Sequence, residues 1–206
     1  MWELLSKGGP TIYVILLCSF WGVYIIVKKV LFLRYNHTHL NALAKTIKQQ
    51  LPQLGKKETI NRLRHNRSFA AKSFTAILSA SNKSPKEISQ TLTKVTQKEL
   101  PVLEKNLNIL SSIITVAPLL GLLGTVLGLM DIFNVLSGGI MSDPSILAKG
   151  IGEALITTVA GLSIAIPFIF LHQFLSHKIE LFIIDLEHNT NEILMLVPSN
   201  KEGVLS

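Results

Sequence analysis

The chain has little of what most enzymes and disulfide-built scaffolds depend on. It holds one cysteine in 206 residues, Cys18. A lone thiol makes neither a disulfide framework nor a metal site, so Cys18 reads as a small packing residue. Acids are scarce, 13 Asp and Glu against 20 Lys and Arg, and long stretches carry no charge of either sign. Between Asn106 and Lys149 there is no Lys or Arg, and the only acids are Asp131 and Asp143. From Gly150 to His177 the sole formally charged residue is Glu153, and Pro10 to Val27 carries none. These absences exclude an ordinary soluble domain, which spreads its charge over its surface. The glycine-rich run "GLLGTVLG" has no lysine, so it is no phosphate-binding loop and ATP is not an energy source within this chain. No nucleophile is paired with a base and no ligand cluster stands at membrane depth, which argues against an enzyme and leaves no metal or cofactor to expect.

What is there is apolar sequence in long blocks. A helix that crosses a bilayer needs roughly 17 to 25 mostly apolar residues, since each rises about 1.5 Å through a core about 30 Å thick. Three segments meet that requirement, at 10–30, 108–136 and 150–175. The first lacks the small-residue cleavage pattern of a secretory signal and is followed at once by Lys28 and Lys29, so it reads as an uncleaved span. The expected fold class is an all-α integral membrane protein: three transmembrane helices extended by long cytoplasmic helices.

Charge orients it. The stretch 28–106 holds 16 of the 20 Lys and Arg against four acids, whereas the 134–150 connection holds Lys149 alone. Cytoplasmic loops keep the excess of Lys and Arg. The N-terminus is therefore expected outside and the C-terminus inside. The expected division is a short periplasmic N-terminus with the first span (1–30), a basic cytoplasmic helical segment (31–107), the second span (108–136) and a short periplasmic loop (137–149). The third span (150–175) and a cytoplasmic C-terminal helix and tail (176–206) complete it. The basic residues flank spans with no aromatic interleaving, so anionic lipid headgroups suit them and nucleic acid does not.

Within the basic segment, turn signals at 52–58 and 81–85 predict helices over about 30–51 and 59–80. Ser84, Pro85 and Glu87 form a helix start: a cap, a proline at the first position and a glutamate that reaches back. Ile88, Leu92, Val95, Leu100, Leu103, Leu107 and Leu110 then mark one helix face. With Pro101 the only strong breaker, residues 85–135 are predicted to form one rod roughly 75 Å long. Asp143 and Pro144 suit the start of the third span, and the tail is predicted helical up to Pro198.

The two most apolar blocks, "APLLGLLGTVLGLM" (117–130) and "GIGEALITTVAGLSIAIP" (150–167), contain helix-weakening glycines. Ala117, Gly121, Gly124 and Gly128 recur at four, three and four residues. Gly150, Ala154, Thr157, Gly161 and Ala165 recur at four, three, four and four. Small residues let helices approach closely in lipid, so these are packing stripes. Glu153 costs at least about 2.5 kcal/mol at the centre of a span. It either faces water in a functional site or sits near the interface. Thr157 shares its face and Thr158 lies beside it, while Thr125 stands on the other span. Such threonines either bond to their own backbone or hydrate a narrow polar route. Pro118 and Pro167 free the carbonyls of Ile114 and Ser163, either as tolerated kinks or beside a hydrated pocket. Asp131 and His172 fall near span ends, where interfacial placement suffices.

These two blocks resemble the signature segments of the ExbB/TolQ/MotA proton-channel family, and the opening "GGPTIYVILLCS" is similar to the first span of its ExbB-type members. The resemblance implies a multi-pass protein of the bacterial inner membrane, a homo-pentamer around a dimer of an ExbD- or TolR-like single-span partner whose aspartate takes up and releases protons. It further implies a TonB- or TolA-like transducer that carries the work to the outer membrane, either for TonB-dependent transport or, in the TolQ branch, for envelope integrity. By matching position Thr125 and Thr158 would line the interior and Glu153 would be the acid of the third span. Thr157 departs from the pattern, since family members often carry alanine there, and Asp131 has no expected counterpart. Three spans count against the flagellar-motor branch, which has four. The alternative from another class is a non-conducting scaffold whose small-residue faces only assemble helices.

Overall fold

The computed structural model describes residues 9–66, 68–82, 84–137 and 144–197. All regular structure among them is helical: α1 (Gly9–Arg64), α2 (Phe69–Ala80), α3 (Pro85–Glu104), α4 (Leu107–Ser137) and α5 (Pro144–Met195). Helices α1, α4 and α5 are each long and apolar enough to cross a membrane. The protein is an all-α membrane protein with three spans. Asp143, expected to cap the third span, and Pro198, expected to end the tail, lie outside the described residues.

The break expected at 52–58 is present: α1 runs through Pro52 but leaves helical dihedrals at Gly55 (φ 73°, ψ 169°), where two helical stretches join at a kink. Glycine reaches positive φ without a Cβ clash, so the turn signal falls there. The single helix expected over 59–80 is not found. The helix ends instead at Arg64. The Asn66 side chain accepts from the Ser68 amide at 2.9 Å, and Ser68 Oγ accepts from the Ala71 amide at 3.2 Å, capping α2. At the head of α3 the capping box is present: the Ser84 amide donates to Glu87 Oε2 at 3.0 Å and the Glu87 amide to Ser84 Oγ at 3.4 Å.

The unbroken rod expected over 85–135 is absent too. α3 passes through Pro101 and stops at Glu104, and Asn106 takes φ 75°, a left-handed conformation that asparagine tolerates better than most side chains. The carbonyls at the end of α3 have no helical partner of their own. Lys29 Nζ supplies one, donating to Leu103 O and, at 3.3 Å, to Lys105 O.

The chain divides into two compact units. One takes the described parts of Met1–Lys28 and Asn106–Leu175. In it Ile15, Leu110, Ala117, Ala154, Ala165 and Phe168 are buried, whereas Leu17, Phe20, Leu122, Val159 and Phe170 are more than half exposed. Such a surface is ordinary in lipid, whose tails are as apolar as leucine. The other unit takes Lys29–Lys105 and the described part of Ser176–Ser206. Its core is a seam of Leu33, Leu40, Ala44, Ile47 and Leu51 from α1 and Ile179, Phe182, Leu186 and Ile193 from α5, all buried at three-, four- or seven-residue spacing. The two helices run parallel there: His37 meets Asp185 at 3.0 Å, and further along Lys48 donates to Asn189 at 2.9 Å and pairs with Glu192. Phe69 of α2 stacks at a tilt on Phe182, with ring centroids 5.5 Å apart.

Candidate functional site

α4 and α5 lie antiparallel in the span-containing unit, and their glycines set how close they come. A Cβ added at Gly121 would stand 2.7 Å from the Thr157 carbonyl oxygen and 2.9 Å from Thr158 Cα; one at Gly161 would stand 2.5 Å from Ala117 O. Here backbone meets backbone, so no side chain can move aside. A Cβ at Gly128 would reach Ala154 Cβ at 2.9 Å, and one at Gly150 would reach the Ile132 side chain at 2.8 Å. Gly124 faces two spans at once, since its Cβ would lie 2.5 Å from Thr157 Oγ1 and 2.7 Å from Thr11 Oγ1 of α1. Gly22, which no spacing in the sequence marks, packs on the Phe168 ring, which an added Cβ would overlap. A lone glycine without a stripe gives no signal of its own.

The close approach brings three threonines together. Thr125 and Thr158, half-buried, meet hydroxyl to hydroxyl at 2.5 Å. Thr125 Oγ1 also lies 3.0 Å from Ala154 O and 3.2 Å from Gly121 O, and Thr158 Oγ1 lies 3.2 Å from Gly121 O. Thr157 is only 1% exposed; its Oγ1 is 2.9 Å from Gly121 O and 2.8 Å from Ala154 O. Five oxygens, three hydroxyl and two carbonyl, therefore converge between two helices that are otherwise apolar at this depth. The two carbonyls were invisible in the sequence, because backbone acceptors become available only where two helices are pressed together. Bonding of a threonine to its own helix is present, but the bonds from Thr157 and Thr158 to Gly121 O cross from α5 to α4.

Other expected residues take simpler places. Glu153 is half-buried and adjoins Ala154, whose carbonyl serves the cluster; Asp131 is exposed and His172 half-buried. Helices α4 and α5 continue through Pro118 and Pro167 without a dihedral break. Among the described residues no group of three or more His, Cys, Asp or Glu is placed to hold a metal.

Chemically the cluster is neutral. Each hydroxyl donates one hydrogen and accepts at its lone pairs, so it can take part in a hydrogen-bonded chain but brings no ionisable group.

Comparison with known proteins places the chain in a family. Residues 61–188 match the model of the MotA/TolQ/ExbB proton channel family. A putative biopolymer transport protein ExbB homolog of Methanothermobacter thermautotrophicus is 27% identical over 179 residues, 86% of this chain and 63% of that protein. A putative biopolymer transport protein ExbB-like 3 of Synechocystis is 35% identical over 162 residues, 77% of each chain. The biopolymer transport protein exbB1 of Vibrio cholerae is 40% identical over 98 residues, 47% of this chain and 43% of that one. The match thus spans less than two thirds of the archaeal and Vibrio relatives' lengths. With the family's pattern covering the oxygen cluster and both helices that build it, this chain belongs to the MotA/TolQ/ExbB proton channel family.

Proposed function

We infer that this chain is the channel subunit of an ExbB-type energy-transducing complex of the bacterial inner membrane, driven by the proton motive force. The observation that carries the reading is the Thr125–Thr158 hydroxyl pair at 2.5 Å, backed by Gly121 O and Ala154 O, between two largely apolar spans. Polar groups at membrane depth are expensive, and a pair held by crossing bonds at the closest approach of two helices suits a polar route. Thr125 and Thr158 line that route, Thr157 stands behind them, and Glu153 lies toward its outer end. The helix-packing glycines Gly121, Gly124, Gly128, Gly150 and Gly161 hold its walls, and Pro118 and Pro167 each leave a carbonyl without its helical donor beside it.

Because the hydroxyls carry no ionisable proton, the route needs a titrating carboxylate beside Glu153 of this chain, supplied by a partner: a dimer of an ExbD- or TolR-like single-span protein inside a homo-pentamer of this chain. The exposed apolar faces of α1, α4 and α5 suit contact with lipid and with neighbouring copies. A TonB- or TolA-like transducer then takes the work to the outer membrane for TonB-dependent transport. One proton crossing yields roughly 2.3 kcal/mol per 100 mV, so the harvested steps are small. No enzymatic chemistry and no cofactor enter this reading.

Native mass spectrometry of the assembly, captured from its own membranes by a tag on this chain, tests the architecture. Five copies holding two of a small single-span protein are expected. A ring without a partner, or one of another size, would favour the scaffold.

A further inference from the structure

We propose that Thr157 is a positioning residue whose hydroxyl sets the direction of the hydrogen bond between Thr125 and Thr158. The proposal rests on the reading of that pair as the polar route, and on counting hydrogens.

A carbonyl oxygen has two lone pairs. Inside α4, Gly121 O already accepts the helical bond from the amide four residues on, and inside α5 Ala154 O does the same. Each has one lone pair left. Three hydroxyls surround these two sites, and each owns a single hydrogen. Two hydrogens can therefore go to carbonyls, and the third must go to another hydroxyl. Only Thr125 and Thr158 are within bonding distance of each other, at 2.5 Å.

Thr157 reaches both carbonyls almost equally, at 2.9 Å to Gly121 O and 2.8 Å to Ala154 O. If it donates to Gly121 O, Thr158 donates to Thr125, and Thr125 donates to Ala154 O at 3.0 Å. In that arrangement the direction is fixed, and the Thr158 oxygen keeps its lone pairs open to an incoming donor. If Thr157 turns to Ala154 O, Gly121 O is left to either Thr125 or Thr158, each at 3.2 Å, and the pair can point either way. One rotation of a buried hydroxyl thus locks or releases the direction of the pair. Thr157 touches no passing proton. Its 1% exposure and the Gly124 contact keep it behind the pair.

Removing the Thr157 hydroxyl frees both carbonyl sites for Thr125 and Thr158, which then no longer need to bond to each other. The test uses the native assembly in liposomes, with proton uptake measured under an imposed potential for Thr157→Val, Thr157→Ala and Thr157→Ser. Thr157→Val keeps the shape, and Thr157→Ser keeps the hydroxyl without the methyl. Uptake is expected to fall about fivefold in the Val and Ala variants, the weight of one hydrogen bond, and to stay near the parent level in Ser. Parent-like uptake in Val, or a loss in Ser as deep as in Val, overturns the proposal. Thr125→Val and Thr158→Val are measured alongside. If they lose uptake while Thr157→Val does not, this proposal alone fails; if they also conduct normally, the polar-route reading fails with it.

Discussion

At the scale of single residues, the decisive quantity is the distance from a glycine to the backbone across from it. Gly121→Ala would place a methyl 2.7 Å from a carbonyl oxygen that cannot rotate away. The spans must separate, and we expect a loss of about 1–3 kcal/mol with the Thr125–Thr158 contact opened, read as a lower thermal midpoint in detergent. Gly152, two residues from Gly150 and Ala154 of the α5 stripe, has nothing within 4 Å of an added Cβ. Gly152→Ala should leave the midpoint unchanged or raise it by up to about 1 kcal/mol equivalent, because alanine is the better helix former. Spacing made the stripes legible. It did not rank their members: Gly150 meets only a flexible isoleucine side chain, while Gly121 and Gly161 meet backbone. The threonines were legible as a group because hydroxyls are conspicuous among leucines. The crossing bonds were not, since their acceptors belong to the backbone.

At the scale of elements, caps and breaks decide where helices stop. The start of α3 was readable because Ser84, Pro85 and Glu87 act through neighbours in sequence. Its end was not, because the break at Asn106 contains neither Gly nor Pro, and the lysine that satisfies its carbonyls comes from 74 residues away. Lys29→Met keeps the stem and removes the donor. It should cost about 1–3 kcal/mol and raise amide exchange in the last turn of α3, observable by hydrogen–deuterium exchange, with α2 unaffected. The parallel α1–α5 seam carries an acid whose titration can be followed. The hydrogen bond from Lys48, with its charge adding to the effect, holds the Glu192 carboxyl below its ordinary value. A depressed carboxyl stabilises the fold above its unfolded pKa and loses that contribution as pH falls through the folded one. The pair's small contribution is therefore constant at neutral pH and fades only in acid, below the usual carboxylate range of about 4. Glu192→Gln should lower the neutral midpoint slightly, to the level the parent reaches in acid, and so flatten the acid limb of the midpoint's pH dependence.

At the scale of the whole molecule, the chain joins two kinds of helix packing that follow different physics. In the basic unit, large side chains at three- and four-residue spacing bury themselves as in any soluble coiled coil. In the spans many large side chains point outward and small ones meet where α4 and α5 come closest, because lipid gives no hydrophobic reason to hide leucine. Absence of charge marked the spans, and the fold class followed from it directly. A proton-channel family member whose own cluster contains only neutral oxygens is expected to conduct only with a partner's carboxylate, and liposomes of this chain alone should show no proton uptake above the lipid background. The measurement that bears most directly on the central claim is proton uptake by the native assembly carrying Thr125→Val and Thr158→Val together. Both changes keep side-chain shape and remove only hydroxyls. Uptake lost from an assembly of unchanged mass is the predicted result. Normal uptake from that assembly would contradict a route through the threonine pair.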